Sequence, residues 1–172
     1  HRLAPFFDDL RKGLAAAADR ADPRICLMTH GPYSETYFEQ AHLARYLGFL
    51  LVEGGDLIVR DGKVYVRTIS GLKRADVILR RVDADFIDPL ELNGASQLGT
   101  PGLLEAIRDG GIAMANMPGS GVLESKSLLG FLPLLCRRLL GEELKMPNVA
   151  TWWCGQPRER ARSEERRVGK EC

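Results

Sequence analysis

The chain has 172 residues, a size typical of one domain, and its 45% hydrophobic and 27% charged content is ordinary for a globular protein. Its formal net charge of +1 gives no general attraction to nucleic acid or to an anionic membrane, so neither is an expected partner. No apolar run approaches the roughly 20 residues of a membrane-spanning helix. The four cysteines show no C-x-x-C spacing, which argues against a zinc site and a disulfide scaffold and favours a cytoplasmic location.

The first part of the chain predicts a helix followed by a β-α-β unit. Apolar residues recur at helical spacing over residues 2–19 and predict an amphipathic helix there. RICLMT (24–29) is a short apolar run typical of a buried strand. A helix is expected over 36–47, with Thr36 and Glu39 as a capping box and Gly48 as its end. FLLVE (49–53) then predicts a second buried strand.

The next segments predict a hairpin, two more strands and a helix between them. LIVRDGKVYVR (57–67) contains two β runs around Asp61-Gly62, a pair typical of a tight hairpin turn. ADVILRRV (75–82) predicts another strand, and the long polar connection after it is of a kind that often carries function. Thr100-Pro101 favours a helix start, and GIAMAN (111–116) predicts the last strand before two leucine-rich helical runs.

Strands that alternate with helices predict a three-layer α/β domain with a mostly parallel sheet and an inserted β-hairpin. Ligands of such sheets bind beyond the carboxyl ends of the strands. Three loops would lie there: THGPYSE (29–35), RRVDADFIDP (80–89) and NMPGSGVLESK (116–126).

The loop at 80–89 supplies candidate anion ligands. Arg80 and Arg81 end an apolar strand, and a guanidinium at that position suits a carboxylate or phosphate. Because side chains alternate along a strand, only one of the two arginines can face a given cleft. An internal salt bridge with Asp83 or Asp85 is the structural alternative.

The loop at 116–126 resembles a phosphate-binding turn without matching a named motif. Lys126 follows Ser125 where a Walker A loop needs glycine, and Glu124 stands where the G-x-G-x-x-G fingerprint needs its third glycine. Gly119, Gly121 and Lys126 at a helix start could still hold an anion by backbone N–H groups and the helix dipole. A solvated surface lysine is the alternative.

The loop at 29–35 and the helix after it provide three further candidate ligand contacts, Tyr33, Ser34 and Glu39. Ser34 could equally be an N-cap residue, and His30 at the strand end has no legible catalytic partner. No Ser/His/Asp order, metal-ligand spacing or carboxylate pair stands out, so we assign no catalytic residue and no metal ligand.

The last eleven residues, RSEERRVGKEC (162–172), are identical to the translation of a common short-read sequencing adapter. We therefore expect native sequence to stop near Ala161, against the alternative of a solvated charged tail. The tail contains four of the 24 basic and three of the 23 acidic residues, so residues 1–161 carry 20 of each and have no formal net charge.

The chain from about Pro23 to Ala161 resembles the circularly permuted type 2 ATP-grasp family. The most specific segments are LVEGGDLIVRDGKVY (51–65) and RRVDADFIDP (80–89). The layout is more distantly similar to eukaryotic-type glutathione synthetases and glutathionylspermidine synthetases. One departure is Ser34, where the family usually has asparagine, which weakens the transfer of a ligand role to that residue.

The resemblance implies a parent protein that uses ATP and Mg²⁺ to activate a carboxylate as an acyl phosphate, which an amine then attacks to form an amide. It implies that 1–22 is a helix from a preceding region, 23–145 a Rossmann-like substrate lobe and 146–161 the start of the ATP-binding region. It further implies substrate contacts at Arg80, Arg81, Asp83, Tyr33, Ser34 and Glu39, and phosphate contacts at Lys126, Gly119 and Gly121.

The expected function is therefore an internal piece of an ATP-dependent carboxylate–amine ligase that acts on small-molecule or peptide substrates. The family's magnesium ligands and ATP lid are expected outside the chain, so it should be inactive alone and bind neither ATP nor magnesium tightly. The alternative is a non-catalytic Rossmann-like domain that binds a small anionic ligand.

Overall fold

The structure, a computed structural model, describes residues 3–168 and contains two compact units, one up to Pro118 and one from Gly119 onward. The elements of the first unit are α1 (Ala4–Ala15), β1 (Ile25–Met28), α2 (Tyr37–Leu47), β2 (Leu50–Val52), β3 (Leu57–Arg60), β4 (Lys63–Thr68), β5 (Gly71–Arg74), β6 (Val77–Arg80), α3 (Leu103–Arg108) and β7 (Ala113–Ala115). The second unit contains α4 (Leu132–Leu140) and α5 (Pro157–Val168). The predicted α/β class is confirmed.

Four strands of the first unit form a parallel sheet in the order β2-β1-β6-β7. Met28 at the end of β1 lies opposite Val52 on one side and Arg80 on the other, so the three strands end level with one another. Leu79 is likewise opposite Ala115 of β7. The loops that follow these four strands therefore leave the sheet along one common edge, which we call the carboxyl edge.

The predicted hairpin is present and belongs to a second sheet. β3 and β4 pair around Asp61 and Gly62, whose φ angles of 51° and 68° are those of the type I′ turn that asparagine or aspartate followed by glycine favours. β5 then adds a third antiparallel strand. The sequence analysis missed β5 because GLKR is exposed along most of its length and lacks an alternating apolar pattern.

Alternation along β1 and β6 divides the core between the two faces of the parallel sheet. Leu27 and Leu79 face α1 and α2, whereas Met28 and Ile78 face the antiparallel sheet and α3. The second face is therefore covered partly by a sheet, where a doubly wound domain would carry helices alone. Burial also raises the pKa of the Cys26 thiol to about 12, so Cys26 acts as a neutral core residue.

The strands match the predictions more closely than the helix starts do. α1 covers Ala4–Ala15 within the predicted 2–19, and residues 1 and 2 lie outside the described part of the chain. Thr36 precedes α2, but its hydroxyl accepts a hydrogen bond from Gln40 and caps no backbone N–H, so the predicted capping box is wrong. Gly48 ends α2 in the left-handed conformation, as expected.

The predicted helix start at Thr100-Pro101 is also wrong. α3 begins after Gly102, and the Thr100 hydroxyl instead donates to the carbonyl oxygen of Gly54 at 2.9 Å. The N–H groups of Gly102 and Leu104 donate to the carboxylate of Asp88, at 3.2 and 2.9 Å. A buried carboxylate is the stronger acceptor, so it takes the capping role that sequence assigned to the threonine.

In the second unit, the predicted helix at Lys126 is a 3-10 segment, Lys126–Gly130, preceded by another over Ser120–Glu124. None of residues 119–164 is buried. α5 contains part of the proposed adapter tail, whose residues 169–172 lie outside the described range. No helix within residues 3–168 is both long and apolar enough to cross a bilayer.

Candidate functional site at the carboxyl edge

The chain leaves β1 and β6 toward opposite faces of the parallel sheet. β1 leads to α2, which packs on one face, and β6 leads to α3, which packs on the other. Neighbouring strands whose connections diverge in this way create the crevice in which α/β domains bind ligands. His30 follows β1 and Asp83 follows β6, and His30 Nε2 lies 4.0 Å from Asp83 Oδ2. Two of the three predicted loops therefore meet at this point.

Arg80 is engaged with the protein backbone. Its Nε donates to the Asn116 carbonyl oxygen at 2.6 Å, and its Nη1 donates to the carbonyl oxygen of Val82. Asn116, which has a φ of 60°, returns a bond from Nδ2 to the Arg80 carbonyl oxygen at 2.9 Å. We call this pair of reciprocal bonds the Arg80–Asn116 clamp. The clamp joins the ends of β6 and β7. It also engages N–H groups of the Arg80 guanidinium that a ligand would need as donors.

Arg81 has a different environment. It is exposed, and its backbone N–H donates to the Met28 carbonyl oxygen at 2.9 Å, which extends the β1–β6 pairing by one residue. Alternation therefore directs its side chain to the face opposite that of Arg80. Of the two predicted arginines, Arg81 is exposed, whereas Arg80 is half-buried and hydrogen-bonded to the backbone.

A buried polar network fixes the loop after β1. The Thr29 hydroxyl donates to Gln40 Oε1 at 2.5 Å and accepts the N–H of Gly31 at 3.2 Å. Gln40 Nε2 in turn donates to the Thr36 hydroxyl at 2.7 Å. Thr29 and Gln40 are only 2% and 3% exposed. The network joins β1 to α2 and sets the backbone on which His30 and Gly31 are held.

Replacing Gln40 with methionine should lower the free energy of unfolding of the first unit by about 2 kcal/mol. The change keeps the side-chain length but leaves the hydroxyls of Thr29 and Thr36 without their partner. Hydrogen exchange of the β1 amides is a suitable measurement, because both tryptophans lie in the second unit and would not report on the first. Glu39→Met is the control, because Glu39 is exposed and should tolerate the change to within about 0.5 kcal/mol. Equal exchange in the two variants would contradict a stabilising network.

Glu53 is a residue of this edge that the sequence analysis did not select. It follows β2 directly, and a Cβ built on Gly31 would lie 2.9–3.0 Å from the Glu53 carboxylate atoms. Gly31 has a φ of +93°, which a side chain rarely adopts. The sequence did offer a reason to select Glu53. It is the polar residue that ends the predicted strand FLLVE, and ligands of such sheets bind at the carboxyl ends of the strands.

The other predicted contacts after β1 lie near the site without converging on it. Tyr33 is 101% exposed, and Glu39 is exposed on α2. The Ser34 hydroxyl lies 3.3 Å from the Thr36 hydroxyl, and the Ser34 carbonyl oxygen accepts the N–H of Tyr37. Ser34 therefore helps to shape the turn into α2, and ligand contacts by these three residues stay predictions.

The predicted phosphate contacts belong to the second unit. Gly119 has a φ of +87° before the first 3-10 segment, Gly121 lies within it, and Lys126 is exposed at the start of the next. A 3-10 segment of five residues lacks the aligned dipole of a full α-helix, so the anion-binding argument loses that support. A nucleotide contact by Lys126 stays a prediction.

No group of three or more His, Cys, Asp or Glu side chains within residues 3–168 could hold a metal ion. Clefts of the first unit lie around α1, the end of α2 and the start of β2, where Arg11, Leu47 and Gly48 line them. These clefts are at the opposite end of the sheet from the carboxyl edge.

Comparison of the sequence with known proteins identifies the family of this chain. Rv2567 of Mycobacterium tuberculosis, an uncharacterised protein, is 49% identical over 159 residues, which are 91% of this chain and 18% of the relative. The uncharacterised protein sll0335 of Synechocystis is 43% identical over 140 residues, 81% of this chain and 29% of the relative. Rv2411c of Mycobacterium tuberculosis, also uncharacterised, is 41% identical over 140 residues, 81% of this chain and 25% of the relative.

The chain thus spans between 18% and 29% of the length of these relatives. A model of the circularly permuted ATP-grasp type 2 family matches residues 1–167, which extends six residues past Ala161. The predicted boundaries at 22, 145 and 161 stay predictions. Membership of this family indicates an ATP-dependent ligase-type fold, whose members generally use ATP and Mg²⁺. The chain belongs to the circularly permuted ATP-grasp type 2 family.

Proposed function

We propose that this chain is the substrate lobe, Rossmann-like in its parallel sheet, of an ATP-dependent carboxylate–amine ligase. The observation that carries the proposal is the convergence of the loops after β1 and β6 at the crevice, with Arg81 exposed beside them. A guanidinium at that position suits the carboxylate of a substrate, because its planar N–H donors match the two carboxylate oxygens. The reaction class in this proposal comes from membership of the ATP-grasp family, and the binding of a substrate carboxylate comes from the position of Arg81.

In the parent protein, the bound carboxylate would attack the γ-phosphorus of ATP, giving an acyl phosphate and ADP. An amine would then attack the acyl carbon, release phosphate and form the amide. The residues of this chain would hold and orient the carboxylate, with Arg81 as the cation and with Asp83 and His30 bordering the crevice. No group of three or more His, Cys, Asp or Glu side chains among the described residues could hold a metal ion, and we assign the ATP and magnesium chemistry to other parts of the parent.

The test uses full-length Rv2567 with ATP, Mg²⁺, hydroxylamine and a panel of amino acids and short peptides. An acyl phosphate reacts with hydroxylamine to give a hydroxamate, so we expect hydroxamate and ADP in equal amounts with at least one acid. ADP release without hydroxamate, or neither product with any acid, would contradict the proposal. Saturable ligand binding without hydroxamate would favour the non-catalytic anion-binding domain instead.

The 172-residue chain is the matched comparison in the same assay. It should release no ADP above the protein-free rate, because no group of three or more His, Cys, Asp or Glu side chains within residues 3–168 could hold the metal ion that stabilises the transferred phosphoryl group. ADP release that the chain itself sustains would show that it is a complete catalytic unit and would overturn the proposed role as a lobe.

A further inference from the structure

Strand alternation gives the two sides of the carboxyl edge different roles. On the side of the antiparallel sheet, the Arg80–Asn116 clamp ties β6 to β7 by backbone-directed bonds. On the side of α2, the same alternation places Glu53 after β2 and Arg81 after β6, and the Glu53 carboxylate lies against Gly31 in the loop after β1. Opposite charges therefore stand on the same side of the edge, on strands that flank β1.

Gly31 allows the carboxylate of Glu53 to lie against the loop after β1. A side chain at residue 31 would displace the carboxylate of Glu53, since its Cβ would lie only 2.9–3.0 Å from the carboxylate atoms. Glu53 itself begins a 3-10 turn in a reciprocal capping box with Asp56, whose Oδ2 accepts the Glu53 N–H at 2.9 Å. This turn fixes the backbone of Glu53 and leaves the residue exposed. A carboxylate has about four acceptor sites, so the cap does not exhaust its capacity.

Glu53 and Arg81 do not neutralise each other. Among the described residues neither side chain enters an ion pair within 4.0 Å, although both are charged and share one side of the edge. One strand separates them, which places their backbones about 10 Å apart. With no ion pair between them, the two charges suit a ligand with a positive and a negative group a few bonds apart.

We propose that Glu53 is a specificity-determining residue that binds the ammonium group of a substrate whose carboxylate is held by Arg81. The ligand class is then a zwitterion, an amino acid or short peptide with a free amino group, and a simple carboxylic acid is disfavoured. This inference rests on the proposed function for the role of Arg81 and adds the requirement for the ammonium group.

The experiment titrates the 172-residue chain with three probes and follows the backbone amides of residues 29–31 and 33–35 by NMR. The probes are glycylglycine, N-acetylglycylglycine without the ammonium group, and glycylglycinamide without the carboxylate. For the unmodified chain we expect glycylglycine to bind about fivefold more tightly than either analogue, as solvent-accessible ion pairs allow. Equal affinity for glycylglycine and its N-acetyl analogue, or no saturable binding of any probe, would overturn the inference.

Two variants assign the preferences to residues. Glu53→Gln keeps a capping oxygen and should abolish the preference for glycylglycine over its N-acetyl analogue, while Arg81→Gln should abolish the preference for acid over amide. Glu105→Gln on α3 is the control, because it makes the same charge change at an exposed residue and should alter neither ratio. The amide spectrum of each variant verifies that it is folded.

The outcomes separate the two proposals. If Glu53→Gln leaves the N-acetyl ratio unchanged while Arg81→Gln removes the acid preference, the assignment of Glu53 is wrong and the proposed role of Arg81 stands. If full-length Rv2567 forms no hydroxamate although the chain shows both preferences, the ligase proposal is wrong and the zwitterion site stands.

Discussion

Replacing Asp88 with alanine should lower the free energy of unfolding of the first unit by about 4 kcal/mol. The Asp88 side chain is fully buried, and its carboxylate accepts the N–H groups of Leu90, Gly102 and Leu104 at 2.9, 3.2 and 2.9 Å. Removing it leaves three donors without their acceptor at the start of α3 and in the long connection before it. Hydrogen exchange of the β1 amides, followed against urea concentration, measures the loss.

Two further variants make the Asp88 result interpretable. Asp88→Asn should lower the free energy of unfolding by roughly half as much, about 2 kcal/mol. An amide has only one acceptor oxygen, and its NH₂ group would face one of the N–H donors. Asp85→Ala removes an exposed carboxylate three residues away and should change stability by no more than about 0.5 kcal/mol. If Asp88→Ala were no more destabilising than Asp85→Ala, the three hydrogen bonds would contribute little to stability.

Gly111→Ala should destabilise the first unit by about 3 kcal/mol, because the added methyl group has no space. A Cβ at residue 111 would lie 1.7 Å from the carbonyl oxygen of Gly62 and 3.2 Å from that of Ala106. Neither side can easily withdraw, since Gly62 belongs to the hairpin turn and the Gly111 N–H donates to Ala106 at 2.8 Å. The hairpin would have to separate from the turn after α3, which β4 amide exchange would detect.

Gly13→Ala is the matched control for Gly111→Ala. Gly13 lies in α1, and a Cβ there would meet nothing within 4 Å, so the same chemical change should stabilise the helix by roughly 0.5–1 kcal/mol. Opposite signs for the two variants are expected. Two losses of similar size would mean that the steric contact at Gly62 does not determine the effect.

The sequence predicted the parts of the fold that depend on local pattern. Apolar runs gave β1, β2, β6 and β7, and Asp61-Gly62 gave the hairpin turn, because each signal is contained within a few residues. The predicted parallel order placed the candidate ligand loops together at the carboxyl ends of the strands. The distance of 4.0 Å between His30 Nε2 and Asp83 Oδ2 agrees with that placement for the loops after β1 and β6. Local patterns were therefore sufficient for the four strands of the parallel sheet and for the hairpin, but not for β5.

Other features depend on partners that are distant in sequence. The carboxylate of Asp88 replaces Thr100 as the group at the start of α3, although 14 and 16 residues separate it from the N–H groups it accepts there. Gln40 joins Thr29 across 11 residues, and Arg80 joins Asn116 across 36. No single-sequence pattern shows which of several polar residues will meet, so these contacts required the three-dimensional structure.

The Arg80–Asn116 clamp has a consequence for how this family can diversify. It stabilises the ends of β6 and β7 through main-chain oxygens, on the side of the edge that does not carry Glu53 and Arg81. Substitution of Arg81, or of Glu53 by a residue that keeps a capping oxygen, should therefore change ligand preference at little cost in stability. Recognition can then change through these exposed side chains, while the framework beneath them keeps its own hydrogen bonds.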